Sequence, residues 1–577
     1  MDTQQPLTQR RAVPDDGDRT LSIDRTALRL VLVALVVYAP AIVWGLPYAT
    51  SELRMLPWGS DELAPIGPLA QVWHVLFHGG AMLDPRYPLL PYLIQTVFMA
   101  PYLAWLKVTG GLTSFSTEFP YGLTDPVGQL AALTVVARLS SLFMAAVVPA
   151  VAYLTVRRLT DRRTALLAGV FVLLLYPLFY YSRTTNVDVG GLMWLALGLW
   201  ALSGVVRDGL TRRNAVALGV FAALATATKD QNYAIFVAIG LSAVALHVAA
   251  SRSTGRLRAA WVAPVIGLVT AIGVYVVATG LVFRPEAFVR HVRFIIEHPS
   301  QGGGSGQSYY STPATLAGYA SLVGAYVRHI VDSMGMPMAV AGAAGLGVAA
   351  VRRPRLLILA IPVIALFLGV VAPVRFVRIR FVMPAAYVMA MFAAIAISAA
   401  AGWHFTRQPP EGTSPWRRRT AAACLVLIAG WAAVRDADLT FQMLRDSRYA
   451  LGDWIALNLS PGDRIGFYGA VLKLPHVPDH ILLESGPYAG GATMPGRDEQ
   501  PEIIIIVPQQ SFEIVHEWNL PAERFRELDS GEWNYDRLFI HRGPALFERR
   551  PLNWVNPPVR VYVRRDVMSR LTTRTVD

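Results

Sequence analysis

Long apolar runs separated by short polar and basic segments dominate the pattern of this chain. Many of these runs approach the length of about 20 residues that spans a bilayer as a helix. They show no strict alternation of apolar and polar residues, so the pattern favours buried or lipid-facing helices over strands. The chain is therefore predicted to form about eleven transmembrane helices, at residues 28–46, 128–156, 164–181, 189–206, 214–229, 232–250, 260–282, 336–351, 356–373, 381–400 and 419–435.

The basic clusters between the runs predict the topology. Clusters such as Arg157-Arg158 and Arg417-Arg418-Arg419 have the distribution of cytoplasmic loops, where Lys and Arg accumulate. If all of them face the cytoplasm, the N-terminus is inside and the C-terminus outside. Two further apolar segments, Leu89–Leu106 and Leu316–Val331, fit this scheme as juxtamembrane or re-entrant helices in outer loops. The alternative is an extra pair of crossings, which gives a range of 11–13 transmembrane helices.

Three regions follow from these assignments. Residues 1–26 are a polar cytoplasmic tail without a signal-peptide cleavage site. Residues 27–435 are the membrane domain, with large outer loops at 47–127 and 283–335. From residue 436 onwards the composition becomes that of a water-soluble domain. One amphipathic segment and three strand-like segments predict a small C-terminal α/β extracytoplasmic domain at 436–577, namely Asp446–Leu459, Arg464–Tyr468, Ile503–Val507 and Val559–Val563.

Composition and charge narrow the class further. The chain is 54% hydrophobic and 16% charged, which is too apolar for a soluble protein of 577 residues. Its net charge of +13 could suggest nucleic acid, but the basic residues lie in the loops between apolar runs, so no nucleic-acid partner is predicted. Cys424 is the single cysteine and excludes an intramolecular disulfide. Gly302–Gly306 is too irregular for a nucleotide-phosphate loop, and a flexible gate and a plain linker both remain open.

Candidate chemistry begins in the first outer loop, at Asp61 and Glu62. Adjacent carboxylates beside a membrane segment must face water, a cavity or a partner, because an isolated charge in hydrocarbon costs several kcal/mol or more. Asp61 is the predicted chemical centre, with capping of a helix that starts near Ala64 as the alternative. Glu62 could be a metal ligand, an acceptor contact or a solvated neighbour. His74 and His78, spaced i, i+4, could join these carboxylates around a divalent ion, although interfacial packing is the simpler interpretation.

Several short motifs occur in the order of a known pattern. Asp61-Glu62 follows the first span, and Arg380–Pro384 opens a late one. Between them lie Arg138–Phe143, Arg157–Arg163, Tyr180–Arg183 followed by Asp188, and Ala225–Asp230. The chain thereby resembles the GT-C membrane glycosyltransferases, and within them the group of protein O-mannosyltransferases and lipid A aminoarabinose transferases. The segment Asp84–Tyr92 stands where that group often has His-Pro-Pro; the histidine is missing, so its role does not carry over.

The resemblance implies a GT-C fold and an inverting transfer of a sugar from a polyprenyl-phosphate donor to a hydroxyl acceptor on the extracytoplasmic side. Such a reaction needs a general base for the hydroxyl, which Asp61 could supply. It also needs cations for the leaving phosphate, and Arg183, Lys229, Arg378 and Arg380 are the candidates. Asp188 and Glu62 complete the predicted substrate-binding residues. For Asp188 and Lys229, a helix-terminal charge and a snorkelling side chain are the structural alternatives.

The expected partners are the lipid-linked sugar, membrane lipids, and a protein, lipid or glycan acceptor. No cofactor is strictly required, and a divalent metal is an open option. The expected location is the inner or plasma membrane. Two other classes stay open: a transporter or flippase for a lipid-linked or small solute, and a non-catalytic membrane scaffold. The few charges within the spans and the lack of an internal repeat disfavour the transporter, and the clustering of Asp61 with arginines at one membrane level disfavours the scaffold.

Overall fold

The computed structural model describes residues 24–48, 54, 56–252, 261–297, 312–402, 415–469, 471–485, 501–507, 522–547, 551–552 and 554–571. Most of this chain is helical. Its helices are α1 Arg25–Tyr38, α2 Ile66–Phe77, α3 Leu89–Thr109, α4 Pro126–Leu159, α5 Arg162–Leu173, α6 Tyr176–Tyr181, α7 Val187–Asp208, α8 Arg212–Thr228, α9 Asn232–Arg252, α10 Val262–Ala278, α11 Pro285–Glu297, α12 Leu316–Met334, α13 Met336–Arg352, α14 Ile361–Leu366, α15 Ala372–Val374, α16 Met383–Ala400, α17 Pro415–Leu444, α18 Ser447–Asn458, α19 Ala522–Asp529 and α20 Arg565–Met568.

Five strands form one mixed sheet near the C-terminus. They are β1 Arg464–Tyr468, β2 Leu482–Ser485, β3 Ile503–Ile506, β4 Tyr535–His541 and β5 Val559–Arg564, in the order β2-β1-β3-β5-β4. β1 runs parallel to β2 and β3, whereas β5 is antiparallel to β3 and β4. Every residue of β3 is buried, as expected of a central strand covered on both faces. The predicted α/β fold of this region is confirmed, and we call it the C-terminal α/β unit.

Seven helical segments of the described chain are long and apolar enough to cross a membrane by length and composition. Counting α12 and α13 as one span, bent by 112°, makes eight. The seven segments are Leu89–Thr109, Pro126–Leu159, Val187–Asp208, Asn232–Arg252, Pro354–Val374, Ile379–Ala400 and Pro415–Asn458. The prediction of a polytopic helical membrane protein is therefore confirmed.

Helices occur at all eleven predicted spans, but five of them are shorter than 18 residues: α1, α5, α8, α10 and α13 have 14, 12, 17, 17 and 17 residues. The span predicted at 164–181 breaks between α5 and α6. Leu89–Thr109, predicted as an outer-loop helix, is itself long enough to cross. The range of 11–13 crossings thus stays a prediction.

The centre of the helical domain is formed by α4, α7 and α16. About four-fifths of the most apolar stretch of α7 and of α16 is buried within the protein, so these helices face other helices and not lipid. α16 packs on α13 and α5, while α4 packs on α7, α5 and α1. Peripheral helices such as α9 and α17 bury a third or less of their apolar stretch, as expected for lipid-facing surfaces.

Polar caps at helix starts explain several of the boundaries. Asp125 caps α4, Asp161 caps α5, Asn186 caps α7 and Asp446 caps α18, each through a side-chain oxygen that accepts a backbone N–H. The cap at Asn186 sets where α7 begins and places Asp188 in its first turn. The predicted gate or linker Gly302–Gly306 lies outside the described residues.

Candidate active site

Asp61 lies between α1 and α2, in the predicted outer loop 47–127. We call this loop the first long loop. The backbone φ of Asp61 is +55°, in the left-handed region that few residues other than glycine adopt. α2 begins at Ile66 with Pro65 at the N-cap position and no side-chain cap bond. The alternative that Asp61 caps this helix is therefore wrong. Instead, its side chain is 39% exposed and reaches towards a residue far away in the sequence.

That residue is Arg380, whose Nη1 forms an ion pair with Oδ2 of Asp61. Arg380 stands in the single turn Ile379–Val382 that leads into α16. The turn places the guanidinium at the end of one of the most buried helices, so its position is defined by the helical core. Ser60 Oγ also approaches Oδ2 of Asp61, at 3.4 Å.

A second ion pair joins Lys229 Nζ to Oδ1 of Asp188. Asp188 is in the first turn of α7, where a negative charge faces the positive end of the helix dipole, and Lys229 is the C-cap residue of α8. Both side chains are largely buried, at 5% and 13% exposure. Oδ2 of Asp188 has no hydrogen-bond partner within the described part of the protein, so this carboxylate has an oxygen available to a ligand.

The Asp188–Lys229 pair and Arg380 line one cleft. Asn232 and Gln231 line it as well, and its apolar wall includes Leu366, Val370 and Val371. The ring of Phe381 lies beside both cations, 4.9 Å from Lys229 Nζ and 5.4 Å from the Arg380 guanidinium carbon. The cleft thus brings together two cations, one carboxylate and an apolar wall, and Asp61 is linked to it through its ion pair with Arg380.

Tyr87 is a further polar group near this cleft. It is partly buried and lies within electrostatic range of Arg380, Asp61 and Asp188. Burial raises the pKa of the Tyr87 phenol above its ordinary value, so its hydroxyl remains a hydrogen-bond donor at neutral pH. Tyr87 is not among the site residues predicted from the sequence, although it belongs to the segment Asp84–Tyr92 that stands in place of the family's His-Pro-Pro.

Glu62 faces away from the cleft. Its carboxylate accepts two hydrogen bonds from Arg138, 2.7 Å from Nε and 2.9 Å from Nη2, and both side chains are fully buried. Oε1 also accepts the backbone N–H of Thr185 at 3.1 Å. Arg138 additionally donates to the carbonyls of Ile42 and Trp44. The predicted substrate ligand Glu62 therefore sits in a bidentate pair that joins the first long loop to α4.

The remaining predicted cations take different places. Arg183 is fully buried, where Nε donates to the carbonyl of Tyr38 at 2.9 Å and Nη2 to the hydroxyl of Thr440 at 3.0 Å. It joins α1 to α17 and does not line the cleft. Arg378 is half-buried just before the Ile379–Val382 turn, with its guanidinium 5.1 Å from the ring of Phe376.

His74 and His78 line another cavity, with Trp73, Phe115 and Glu118. The structure does not bring them together with Asp61 and Glu62. Within the described ranges, no group of three or more His, Cys, Asp or Glu side chains could hold a metal ion.

A neighbouring contact fixes the turn after α8. His291 of α11 is buried; its Nε2 lies 3.1 Å from Oδ1 of Asp230, and its Nδ1 lies 2.7 Å from the carbonyl of Pro85. Burial alone lowers the pKa of His291, but the hydrogen bond and charge of Asp230 outweigh it and hold the pKa above its ordinary value. The contact therefore ties α11 and the first long loop to the residue that follows Lys229.

Part of the helical domain that forms this cleft matches the model of a known protein family. Residues 131–277 match the model of the family described as dolichyl-phosphate-mannose-protein mannosyltransferase. The matched part includes Asp188 and Lys229, and it confirms the resemblance drawn from the motifs over this quarter of the chain. Over these residues the chain is therefore similar to a family of glycosyltransferases. No curated protein sequence matches the chain.

Solved structures of two proteins align with most of this chain, at low sequence identity and with TM-scores below 0.5. ArnT from Cupriavidus metallidurans in the apo state has 13% identity and a TM-score of 0.43, covering 92% of this chain and 97% of its own. Its undecaprenyl phosphate complex has 14% identity and a TM-score of 0.41, with the same coverage. The Archaeoglobus fulgidus oligosaccharyltransferase tethered with an acceptor peptide has 12% identity and a TM-score of 0.42, covering 80% of this chain. The present chain spans 64% of the length of that archaeal protein.

Proposed function

We propose that the protein is an inverting glycosyltransferase that moves a sugar from a polyprenyl-phosphate donor to a hydroxyl acceptor on the extracytoplasmic side of the membrane. The observation that carries this proposal is the cleft lined by Asp188, Lys229 and Arg380, together with the ion pair that joins Arg380 to Asp61. Of the two adjacent carboxylates in the first long loop, Asp61 is accessible, whereas Glu62 is enclosed by Arg138. An accessible carboxylate beside two cations fits a base next to a phosphate-binding site.

The side chains that line the cleft match the donor in chemistry; the cleft has a volume of about 30 Å³ in this structure, so it must widen to admit a phosphate and a lipid. Lys229 and Arg380 provide the charge-assisted hydrogen bonds that a phosphate accepts. Leu366, Val370 and Val371 line the same cleft and provide an apolar surface for the first isoprene units of the lipid. A soluble sugar nucleotide would need no such surface, and the sequence has no nucleotide-phosphate loop.

The transfer step is a single displacement. The acceptor oxygen attacks the anomeric carbon from the face opposite the phosphate, while its proton passes to the carboxylate of Asp61. The bond between the anomeric carbon and the phosphate oxygen breaks, and its electron pair leaves with the polyprenyl phosphate. Arg380 and Lys229 stabilise the negative charge that develops there. Because Arg380 also pairs with Asp61, the arriving phosphate competes for this arginine and releases the carboxylate to act as base.

The experiment is sugar transfer in reconstituted membranes with a panel of polyprenyl-phosphate sugars, followed through release of free polyprenyl phosphate. Hydroxyl-bearing peptides, lipids and glycans are offered in turn as acceptors. Wild type is compared with Asp61→Asn, which keeps the shape of the side chain but cannot accept the proton. Glu118→Gln is the matched control, because Glu118 is an exposed carboxylate of the same loop outside the cleft.

We expect Asp61→Asn to lower the rate by roughly a hundredfold or more, the contribution of a general base, and Glu118→Gln to match wild type. Equal rates for wild type and Asp61→Asn would move the base to another carboxylate, with Asp188 next. Absence of release from every donor by wild type, combined with tight binding of a lipid or solute, would overturn the transferase proposal.

A further inference from the structure

We propose that Arg448 of the C-terminal α/β unit is a positioning residue for Asp61. It lies in the first turn of α18 and holds the segment that ends at Asp61 through the indole ring of Trp58. This inference rests on the proposed function, because the segment it positions carries the proposed base. It assigns the C-terminal unit a part in building the proposed active site.

The orientation of Arg448 is defined on every side. The residue is fully buried, and its Nε and Nη2 each donate to one carboxylate oxygen of Asp446 at 2.8 Å. Nη1 donates to the carbonyl of Leu472 at 3.0 Å, and Nη2 also donates to the carbonyl of Trp554 at 2.9 Å. A planar guanidinium bonded through all three nitrogens has a fixed plane, which the single ammonium of lysine could not reproduce.

The face of this guanidinium lies against Trp58. The guanidinium carbon is 3.9 Å from the centre of the Trp58 ring, a close cation–π contact. The C-terminal unit holds the same ring on two more sides. The indole Nε1 donates to the carbonyl of Leu474 at 2.9 Å, and the ring packs 4.8 Å from Tyr449 and 5.1 Å from His476. Trp58 belongs to the first long loop, but all of these partners come from the C-terminal unit.

Only two residues separate Trp58 from Asp61, and they leave little freedom. The backbone N–H of Ser60 donates to the hydroxyl of Tyr180 at 2.8 Å. Gly59 packs so closely that an added Cβ would lie 2.3 Å from Oε2 of Glu62. Asp61 itself has a left-handed backbone, which persists only where its surroundings impose it. Trp58 supplies that constraint on the N-terminal side.

A second route joins the same pair to the C-terminal side of Asp61. Oδ2 of Asp446 accepts the indole N–H of Trp44 at 3.0 Å. The carbonyl of Trp44 accepts a hydrogen bond from Arg138 at 2.6 Å, and Arg138 holds Glu62, the residue after Asp61. The Asp446–Arg448 pair is therefore connected to the chain on both sides of Asp61, to Trp58 directly and to Glu62 through Trp44 and Arg138.

The first test uses no substrate. Arg448→Lys keeps the charge but loses the bidentate bond and the flat face over Trp58. Its control is Arg564→Lys, since Arg564 pairs with Asp566 and Glu502 within the same unit. Hydrogen exchange of the peptide covering residues 58–62 is followed by mass spectrometry in nanodiscs. Because loss of the contact lets the segment open locally, we expect its amides to exchange at least about tenfold faster in Arg448→Lys than in wild type. In Arg564→Lys they should exchange at the wild-type rate. Unchanged exchange in a folded Arg448→Lys protein would overturn the proposal.

The second test is kinetic. At equal amounts of folded protein, we expect Arg448→Lys to lower kcat about tenfold or more with little change in KM for the donor. The reason is that a displaced base slows the chemical step without weakening donor binding. Trp58→Phe should lower kcat as well, and the double variant should cost less than the product of the two single effects. Should Arg448→Lys fold too poorly for assay, Trp58→Phe carries both measurements.

The outcomes separate the two proposals. If the wild type transfers no sugar from any donor, the proposed function is wrong. Arg448 then has no base to position, whatever the hydrogen exchange shows. An active wild type whose Arg448→Lys variant exchanges faster but keeps its kcat per folded molecule leaves the transferase intact and overturns the positioning role.

Discussion

The chemistry of this site depends on individual side chains, and the adjacent carboxylates Asp61 and Glu62 lie in opposite environments. Asp61 is accessible and paired with Arg380, whereas Glu62 is buried against Arg138. Breaking a fully buried pair on one side leaves an uncompensated charge, which costs about 3–5 kcal/mol. Glu62 therefore contributes to the stability of the loop, and Asp61 is the carboxylate that we propose as the base.

Arg380 is the cation on which the proposed chemistry depends most. Arg380→Lys should lower transfer by roughly 10–100-fold and raise KM for the donor, because lysine cannot pair with Asp61 and the phosphate in the same geometry. The reconstituted transfer assay measures both parameters. Arg378→Lys, two residues earlier and outside the cleft lining, is the control. An equal loss in Arg378→Lys would mean that the two arginines share the phosphate.

Gly59 tests whether the tight packing before Asp61 is needed. In Gly59→Ala the new methyl group would meet Oε2 of Glu62 at 2.3 Å and a methyl of Thr184 at 2.9 Å. We expect a loss of about 1–3 kcal/mol in unfolding free energy, the usual cost of overpacking, seen as a lower thermal midpoint in detergent. Gly67→Ala, in α2 with nothing within 4 Å of its added Cβ, should be neutral or slightly stabilising. Equal midpoints for both variants would show that the Gly59 segment can relax.

Among the secondary-structure elements, α11 is held by the charged contact between His291 and Asp230. The raised pKa of His291 means that the folded state binds the proton more tightly than the unfolded state. The stabilisation is therefore complete below the ordinary value of 6.5 and is lost as the pH rises through the raised folded pKa. Asp230, the carboxylate that raises this pKa, is the residue after Lys229. Loss of the contact at higher pH therefore weakens the turn that holds Lys229, a proposed phosphate ligand.

We expect the thermal midpoint of wild type to fall as the pH rises above 6.5, and this fall to disappear in His291→Gln. The lost contact is a hydrogen bond to a charged group, worth about 2 kcal/mol. Asp230→Asn should also flatten the profile, while His78→Gln, at an exposed histidine directly after α2, should keep the wild-type slope. A wild-type slope retained in His291→Gln would assign the pH dependence to other groups.

At the scale of the whole molecule, the proposal requires the C-terminal α/β unit to be extracytoplasmic. In a Cys424→Ser background, Ala456→Cys on the exposed side of α18 should react with a membrane-impermeant maleimide in intact cells. Ala249→Cys, exposed near the end of α9 and next to the predicted cytoplasmic loop that follows the span 232–250, should react only after the membrane is opened. The reverse pattern would invert the topology and place the proposed chemistry inside the cell.

The sequence by itself predicted the class and much of the fold. Its apolar runs are long enough to form membrane helices whatever their partners, and helices occur at each predicted position. Three strands of the C-terminal unit were predicted because their apolar residues stand in short runs bounded by turn residues; β2 and β4 were not. Polar caps such as Asn186 act within one turn of the chain, so they can be recognised locally.

The tertiary structure alone decided which charges meet. Asp61 and Arg380 are separated by 319 residues, and Glu62 and Arg138 by 76, so no periodicity could pair them. Arg183 has a motif position like that of a substrate ligand, yet helix packing buries it between α1 and α17. Trp58 gives no local sign that Arg448 will cover it. Local sequence determines which segments become helices and strands, whereas the pairing of distant charges depends on how those segments pack.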